Sequence, residues 1–395
     1  MKICLLTTSF PRHANDEAGI FIARLQQAFA DIGIAGTVIA PYHPLVEENK
    51  NRLYSETWKT EWIKYRIFSS NSLCYGAGIM PNLRTNPFLL IQIPALLLGF
   101  IQAAIKHSKE TDLLHANWIF AVIPALIAVT INPQPLVATI RGEDLRLLSV
   151  PVLGFILRAL LQRVSQITTV SEEFRDKLSQ IFPNKKIICI SNGVSINSLS
   201  APEVFNIQAK KGLNNFPYLI FSGRLIRLKR IELLLELLRK LEHDSVQLLL
   251  CGSVEDSQYV EQLKVKTNLL GISQRVHFLG SVDPQEYLAL LSGASFYCSA
   301  SDYEGRPNSV LEAIAHGVPS VLSGIKAHKD LFAEADGAYF FDSDLSTAAG
   351  FIDRLLRDSQ SYQELSQTLK SNPANKSWKT TAEEYKTIFK QLLAR

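Results

Sequence analysis

The sequence predicts an α/β protein made of two doubly wound domains facing a cleft. Short β-type runs alternate with helical ones along the whole chain, the pattern of repeated βα units and of parallel sheets covered on both faces. The rhythm breaks at Asn192-Gly193, is followed by a polar, aperiodic stretch at 198–215, and then restarts. The chain has 395 residues. That is more than one ordinary core holds, so two domains of roughly 190 residues each are expected.

Composition narrows the class. The chain is 47% hydrophobic and 20% charged, which is globular rather than disordered. A net charge of +4 is small for this length and gives no case for a nucleic-acid partner. Five cysteines, an odd number with no CxxC pair, fall mostly in apolar runs and predict buried free thiols in a reducing compartment. No metal site follows from them. The first twelve residues, MKICLLTTSFPR, have too short an apolar run for a signal peptide and suit a first buried strand. The longest apolar stretch, 88–105, is interrupted by Gln92, Pro94, Gly99 and Gln102. It predicts a helix that is buried or lies on a membrane, in preference to a span.

Taken in order, the first half predicts a strand at 2–8 and a polar loop through Arg12, Asn15, Asp16 and Glu17 to Gly19. A helix at 20–32 and a strand at 36–40 follow. The polar, Tyr- and Trp-containing stretch 41–87 holds one expected strand, at 62–68. Beyond the apolar helix come strands at 113–115, 136–140, 166–170 and 186–190, separated by helices at 119–130, 151–163 and 171–182. The second half predicts strands at 218–222, 246–251, 276–279, 296–299, 320–322 and 339–341. Its helices are expected at 230–243, 256–270, 284–291, 307–316 and 345–356, with an amphipathic tail helix at 381–393.

Residues 304–319 read EGRPNSVLEAIAHGVP. Pro307 suits a first helical turn, Val310, Leu311, Ile314 and Ala315 recur at helical spacing, and Gly317-Val318-Pro319 ends the run. A strand should therefore pass through a loop into a helix whose N-terminus opens at the strand's carboxyl end. Free N–H groups near Asn308 and Ser309 favour an anion there. Glu304 before the helix and Glu312 inside it can grip hydroxyls on either side of a bound phosphate. Alone, the stretch reads equally well as an ordinary βα unit with solvated glutamates.

A second cluster opens the second half, where a strand ends before Gly223 and Arg224, Arg227, Lys229 and Arg230 precede a helix. A glycine at a strand exit followed by cations suits an approaching anion, although solvated residues capping a surface helix look the same. Taken together the two clusters bring cations, helix N–H groups and carboxylates to the strand ends of one domain. A diphosphate joined to a ribose and a hexose needs those three things. In the first half the loop 8–19 lacks GxGxxG, so a nicotinamide or flavin enzyme is not supported, while Gly19 can still bring a backbone N–H to a phosphate or sugar. His115, followed by Trp118, ends one strand, and Arg141-Gly142-Glu143-Asp144 ends another. A lone histidine at a strand end is more often a structural hydrogen-bonder than a catalyst. The absence of GxSxG, HExxH and Walker sequences argues against hydrolase, metalloprotease and P-loop readings.

With these residues assembled, GRL…K at 223–229, SASDYEGRPNSVLEAIAHGVPSV at 299–321 and NGV at 192–194 resemble glycosyltransferase family 4. These are retaining, nucleotide-sugar-dependent enzymes of GT-B architecture, with two Rossmann-like domains. The resemblance covers nearly the whole chain and is most specific in the second half, where Glu304 and Glu312 match an E-x7-E motif. It is similar in position and type, though weaker, at SFPR, HANW and TIRGED in the first half. It implies an N-terminal acceptor-side domain at 1–193, a nucleotide-sugar-binding domain at 194–378, and a helix at 379–395 crossing back to the first. It further implies that Gly223, Arg224 and Lys229 hold the donor pyrophosphate, with the two cations stabilising the leaving group in place of a metal ion. Glu304 would contact the hexose, Asn308 and Ser309 the phosphate, Glu312 the ribose, and Gly19 would lie under the donor phosphates. His115, counted with the catalytic residues, and Asp144 would sit on the acceptor side.

Two departures stand out. Arg141-Gly142 replaces a frequent His-Gly, so a sugar-contacting histidine is not carried over. Gly305-Arg306-Pro307-Asn308 stands where Gly-Phe-Gly is frequent, which makes Arg306 a candidate donor contact. The implied reaction moves a hexosyl group to a hydroxyl of a glycan or lipid-linked acceptor in bacterial polysaccharide or envelope glycan synthesis. No cofactor or metal is implied beyond the nucleotide-sugar donor substrate, and the setting is cytoplasmic or peripheral on the inner membrane. The helices at 88–105 and 151–163 could rest on that membrane, with packing on the sheet as the preferred expectation. A nucleotide-sugar epimerase or hydrolase, or a non-catalytic subunit supporting a partner, would use the same architecture.

Overall fold

A computed structural model describes residues 1–13, 16, 18–46, 56–65, 73–75, 78–196, 199–213, 216–332, 337–342 and 344–394. The chain divides into two compact units, Met1–Gly193 with Trp378–Arg395, and Val194–Ser377. Asn15, Glu17 and positions 66–68, all named in the expectations above, lie outside the described residues.

The first unit runs β1 (Lys2–Leu6), α1 (Ile20–Asp31), β2 (Ala35–Pro41), β3 (Trp58–Ile63), α2 (Ile79–Thr85), α3 (Ile93–Ser108), β4 (Leu113–Asn117) and α4 (Ile119–Ile131). It continues β5 (Leu136–Ile140), α5 (Gly142–Leu148), α6 (Pro151–Gln162), β6 (Gln166–Thr169), α7 (Glu172–Ile181) and β7 (Ile187–Cys189). The seven strands form one parallel sheet in the order β3-β2-β1-β4-β5-β6-β7. The apolar run of β1 is buried from Ile3 through Leu6, as a central parallel strand requires. Because β1 leads to β2 in one direction and β4 to β5 in the other, right-handed crossovers put α1 on one face and α4 on the opposite one.

The second unit runs α8 (Ala201–Lys210), β8 (Tyr218–Ser222), α9 (Ile231–Lys240), β9 (Gln247–Cys251), α10 (Ser257–Leu269), β10 (Val276–Gly280), α11 (Pro284–Ser292) and β11 (Phe296–Ser299). It ends α12 (Asn308–His316), β12 (Ser320–Ser323), α13 (Lys326–Lys329), β13 (Ala338–Phe341), α14 (Leu345–Arg357) and α15 (Ser359–Lys370). The chain then returns to the first unit as α16 (Trp378–Leu393). Six parallel strands lie in the order β10-β9-β8-β11-β12-β13. The strand order reverses between β8 and β11, and the carboxyl ends at such a switch point bound a crevice for ligands.

Several elements differ from expectation for identifiable reasons. The strand expected at 62–68 runs instead over Trp58–Ile63. Trp58 anchors it, with its indole N–H donating to the Ile34 carbonyl at 2.8 Å and its ring stacked on Phe29. The apolar stretch at 88–105 is a 3₁₀ turn, Pro87–Gln92, followed by α3. Only about a third of it is buried. The polar stretch at 198–215 contains α8, set by a capping box between Ser200 and Glu203. No residue of α8 is buried, so it carries no apolar period to read. In α15 Leu369 is buried, with Tyr362 and Leu365 partly buried against the core on the same narrow stripe. Among the cysteines, none is disulfide-bonded; four are buried and Cys189 is half-buried.

Candidate functional site

In the second unit the expected residues gather where β8 and β11 end. β8 leads through Gly223 and Arg224 into a 3₁₀ turn, Arg227–Lys229, and Arg230 then takes a left-handed conformation (φ 47°) before α9 begins. β11 leads through 300–307 into α12, with Pro307 at its N-cap rather than inside the first turn. No side chain caps α12, so Asn308 and Ser309 stand at an open helix N-terminus. The two stretches are stitched together. The Asp302 N–H donates to the Leu228 carbonyl at 3.0 Å, and the Tyr297 hydroxyl donates to the Ser222 carbonyl at 3.3 Å while meeting Ser309 Oγ at 2.7 Å.

Lys229 Nζ donates to Glu304 Oε1, and both side chains are largely shielded from solvent. Burial alone would raise the Glu304 carboxyl, but the Lys229 charge and hydrogen bonds from Lys229 and Ser301 override it and hold the group below the usual carboxylate range. A relay supports this carboxylate from behind. Ser301 Oγ donates to Glu304 at 2.8 Å, Ser323 Oγ donates to the Ser301 carbonyl at 2.7 Å, and His328 Nδ1 lies 2.9 Å from the Ser323 carbonyl. His328 is fully buried, and burial lowers its pKa. Ser301, Ser323 and His328 were not anticipated, since a serine or histidine at these positions has no spacing signal.

The other cations are paired as well. Arg224 meets Glu255 at 3.2 Å, Arg230 meets Asp302 at 2.9 Å and Arg227 meets Asp256 at 3.6 Å. The close approach of backbone that positions Gly223 comes from its neighbour, Gly252, at the end of β9. Gly252 has φ +147°, and a Cβ there would lie 1.9 Å from the Gly223 carbonyl oxygen. Glu312 is buried one turn into α12, and Arg306 lies in the β11–α12 loop between the two glutamates.

In the first unit Gly19 is the left-handed N-cap of α1 (φ +70°), beyond the carboxyl end of β1, and α1 also lacks a side-chain cap. A Cβ on Gly19 would lie 2.4 Å from the Ser9 carbonyl oxygen, so the first loop folds directly onto it. Arg12 and Asp16 clamp that loop with an ion pair. The placement of His115 corrects the expectation that it reacts. Its ring is fully buried against Phe29, Tyr385 and Phe389, with Nε2 2.7 Å from Thr139 Oγ1. Burial, and then the nearby Arg141 charge, lower its pKa to about 3, so it is a neutral core residue near neutral pH.

Asp144 is held by backbone donors of its own unit. One carboxylate oxygen accepts the Ile119 N–H at 3.1 Å and the other the Arg141 N–H at 2.8 Å, tying α4 to the start of α5. Arg141 is buried with its guanidinium 4.6 Å from the Phe21 ring centroid and bonded to the Asn117 and Asn192 side-chain oxygens. Burial lowers its pKa to about 10. Trp118 beside it has φ 68°, one of two positive-φ residues other than glycine among the described residues; the second is Arg230. Each directly precedes a helix that follows a strand's carboxyl end.

Comparison with known proteins fits this architecture. Residues 18–198 match the glycosyltransferase family 4 model, and residues 204–372 match the model of glycosyl transferases group 1. An uncharacterized glycosyltransferase of Methanocaldococcus jannaschii is 30% identical over 57% of this chain and 60% of that protein. The alpha-monoglucosyldiacylglycerol synthase of Streptococcus pneumoniae is 26% identical over 49% of this chain and 46% of its own length. The chain thus spans about half to three fifths of these relatives. Anabaena HepE, solved in complex with UDP and glucose, superimposes with a TM-score of 0.76 at 19% identity, covering 99% of this chain and all of that one. The chain belongs to the family 4 glycosyltransferases and has their GT-B fold.

Proposed function

We propose that the protein transfers a hexosyl group, with retention of anomeric configuration, from a nucleotide-diphosphate sugar to a hydroxyl of a glycan or lipid-linked acceptor. Polysaccharide or envelope glycan synthesis is the expected setting. The observation that carries the reading is the convergence of Lys229, Glu304 and the open N-terminus of α12 at the switch point of the second sheet. The names of the relatives support it: one makes a glucosyl lipid, and the HepE complex holds UDP and glucose.

The donor diphosphate would lie against the N–H groups of Asn308 and Ser309 and take the charges of Arg224 and Lys229. Glu304 would receive hexose hydroxyls, with Arg306 beside it, and Glu312 the ribose. The acceptor oxygen bonds to the anomeric carbon as the bond from that carbon to the phosphate oxygen breaks. The departing phosphate takes the acceptor proton on the same face. The cations meet charge where it develops, so no cofactor is required by this scheme. The five cysteines, none of them in a disulfide, fit a cytoplasmic setting.

Calorimetry with nucleotide-diphosphate sugars tests the site. Arg224→Ala and Glu312→Ala should each weaken donor binding while the fold survives, and unchanged binding in both would refute the assignment. A donor-only product assay separates transfer from epimerisation or hydrolysis, which turn over without an acceptor.

A further inference from the structure

The first unit carries an apolar face that its own packing leaves open. α3 lies against α4 and β1–β3, and α4 lies against α6, so these helices stand side by side on one face of the sheet. The inner side of α3 is buried through Leu96, Phe100, Ala103 and Ala104. Its outer side and the 3₁₀ turn before it are not: Phe88 is 87% exposed, and Leu90 and Ile91 are exposed with it. On α6 the same holds for Val152 at 75%, Phe155 at 74%, and Ile156. Both groups lie toward the same edge. α3 ends just before β4 and α6 just before β6, so each helix runs antiparallel to the strands and begins at their carboxyl end. Gly19 and Arg141 lie at that edge too. Large apolar side chains grouped in this way mark an interaction surface rather than the usual scatter of exposed residues.

Charge selects the occupant. α2, the 3₁₀ turn, α3, α4 and α6 contain no aspartate or glutamate; Lys106 is paired with Glu61 of β3 at 2.9 Å, and the arginines of the face are Arg84 and Arg158, with Arg163 directly after α6. A second copy of this face would meet it with like charge, which opposes a symmetric dimer. A transmembrane span is excluded by packing. The 3₁₀ turn and α3 together, Pro87–Ser108, are long and apolar enough to cross a bilayer by length and composition, but α3 is packed on α4 and on β1–β3. Leaving the sheet would also strip its buried side. An in-plane helix pair, apolar outward and rimmed by arginine, fits a lipid surface bearing negative headgroups.

We propose that this face, formed by the 3₁₀ turn with α3 and by α6, docks the protein on an anionic bilayer. Apolar side chains enter the headgroup region and the arginines meet lipid phosphates. The docked surface then borders the carboxyl edge of the first sheet, where a membrane-borne acceptor would arrive. That consequence rests on the transferase reading; docking itself does not.

The test is co-sedimentation of the full chain with vesicles of phosphatidylcholine alone or with about one third phosphatidylglycerol. The wild type should bind the anionic vesicles, more weakly at high salt. Phe88→Ser/Val152→Ser/Phe155→Ser should lower the partition coefficient about tenfold or more, and Arg84→Gln/Arg163→Gln about threefold. Both variants should keep the wild-type melting temperature and nucleoside-diphosphate affinity. No wild-type binding, or equal binding by the triple variant, overturns the proposal. So does a dimer seen by light scattering that the triple variant disperses without any vesicle binding. Failure of the wild type to bind any nucleoside diphosphate or nucleotide sugar would instead overturn the transferase reading and leave the vesicle result to decide the surface.

Discussion

Replacing Lys229 by methionine isolates the central ion pair of the candidate site. It leaves Glu304 with Ser301 as its remaining hydrogen-bond donor in the relay, inside a pocket that shields 85% of its side chain. A hydrogen bond to a charged group contributes about 1.5–3 kcal/mol, and stranding a fully buried charge costs about 3–5 kcal/mol. With 14% and 15% of the two side chains still exposed, about 2 kcal/mol is the expected loss at neutral pH. For a unit of about 180 residues that lowers its melting temperature by about 4–8 °C.

The loss depends on pH in a defined direction. The Glu304 carboxyl is held below its ordinary value of 4.5 in the folded protein. The pair's contribution is therefore fully present above that value and disappears as pH falls through the lowered folded value. Scanning calorimetry should show the gap between wild type and Lys229→Met closing in acid. Adding Glu304→Gln to Lys229→Met should restore about 1–2 kcal/mol, since no carboxylate is then stranded. A melting temperature unchanged by Lys229→Met, or strict additivity in the double variant, would refute the pairing.

Gly252→Ala should cost about 2–4 kcal/mol in urea unfolding and weaken nucleoside-diphosphate binding, because a Cβ cannot fit 1.9 Å from the Gly223 carbonyl oxygen. Below pH 6.5 the unfolded chain protonates His115 while the folded site, with its pKa near 3, does not. Stability should thus fall by up to about 1.4 kcal/mol per pH unit from that residue, and His115→Gln should flatten the slope. Ser301→Ala should reduce the rate of sugar transfer about tenfold with little change in nucleoside-diphosphate affinity, since Ser301 bonds Glu304 and would not touch the phosphates. Glu304→Gln should tighten binding of the free nucleoside diphosphate about threefold to fivefold by releasing Lys229, and weaken the intact sugar nucleotide, both read by calorimetry.

The second unit was legible because its signals are local. Glu304 and Glu312 flank one helix start, Arg224 and Lys229 follow one strand exit, and parallel strands read as short apolar runs whatever lies around them. What stayed hidden depends on distant partners. His115 becomes a core residue because Tyr385 and Phe389 of the returning helix cover it; its partner Thr139 also meets Tyr385, 246 positions further along the chain. Likewise α8 buries no residue, while α15 carries only a narrow apolar stripe, Tyr362, Leu365 and Leu369, among polar residues. The apolar stretch at 88–105 showed the opposite limit. Hydropathy predicts a face that avoids water, but only the packed structure shows that neighbouring helices cover just one side of it.

The pairing within the site bears on what it selects. Arg224, Arg227, Lys229 and Arg230 each face one carboxylate, Glu255, Asp256, Glu304 and Asp302 in turn. The cluster is electrically balanced before any ligand arrives, so a diphosphate must draw cations away from carboxylates. For the exposed pairs this costs little. For Lys229 and Glu304 it strands a shielded carboxylate, unless the ligand also brings hydroxyl donors to Glu304. In the proposed binding mode a free nucleoside diphosphate would bring no such hydroxyls to that position, whereas the hexose of a complete donor would. On the proposed function, the same ion pair that stabilises the unliganded fold would therefore favour the intact sugar nucleotide over its spent product, and removing the Glu304 charge should narrow the ratio of their affinities from both sides.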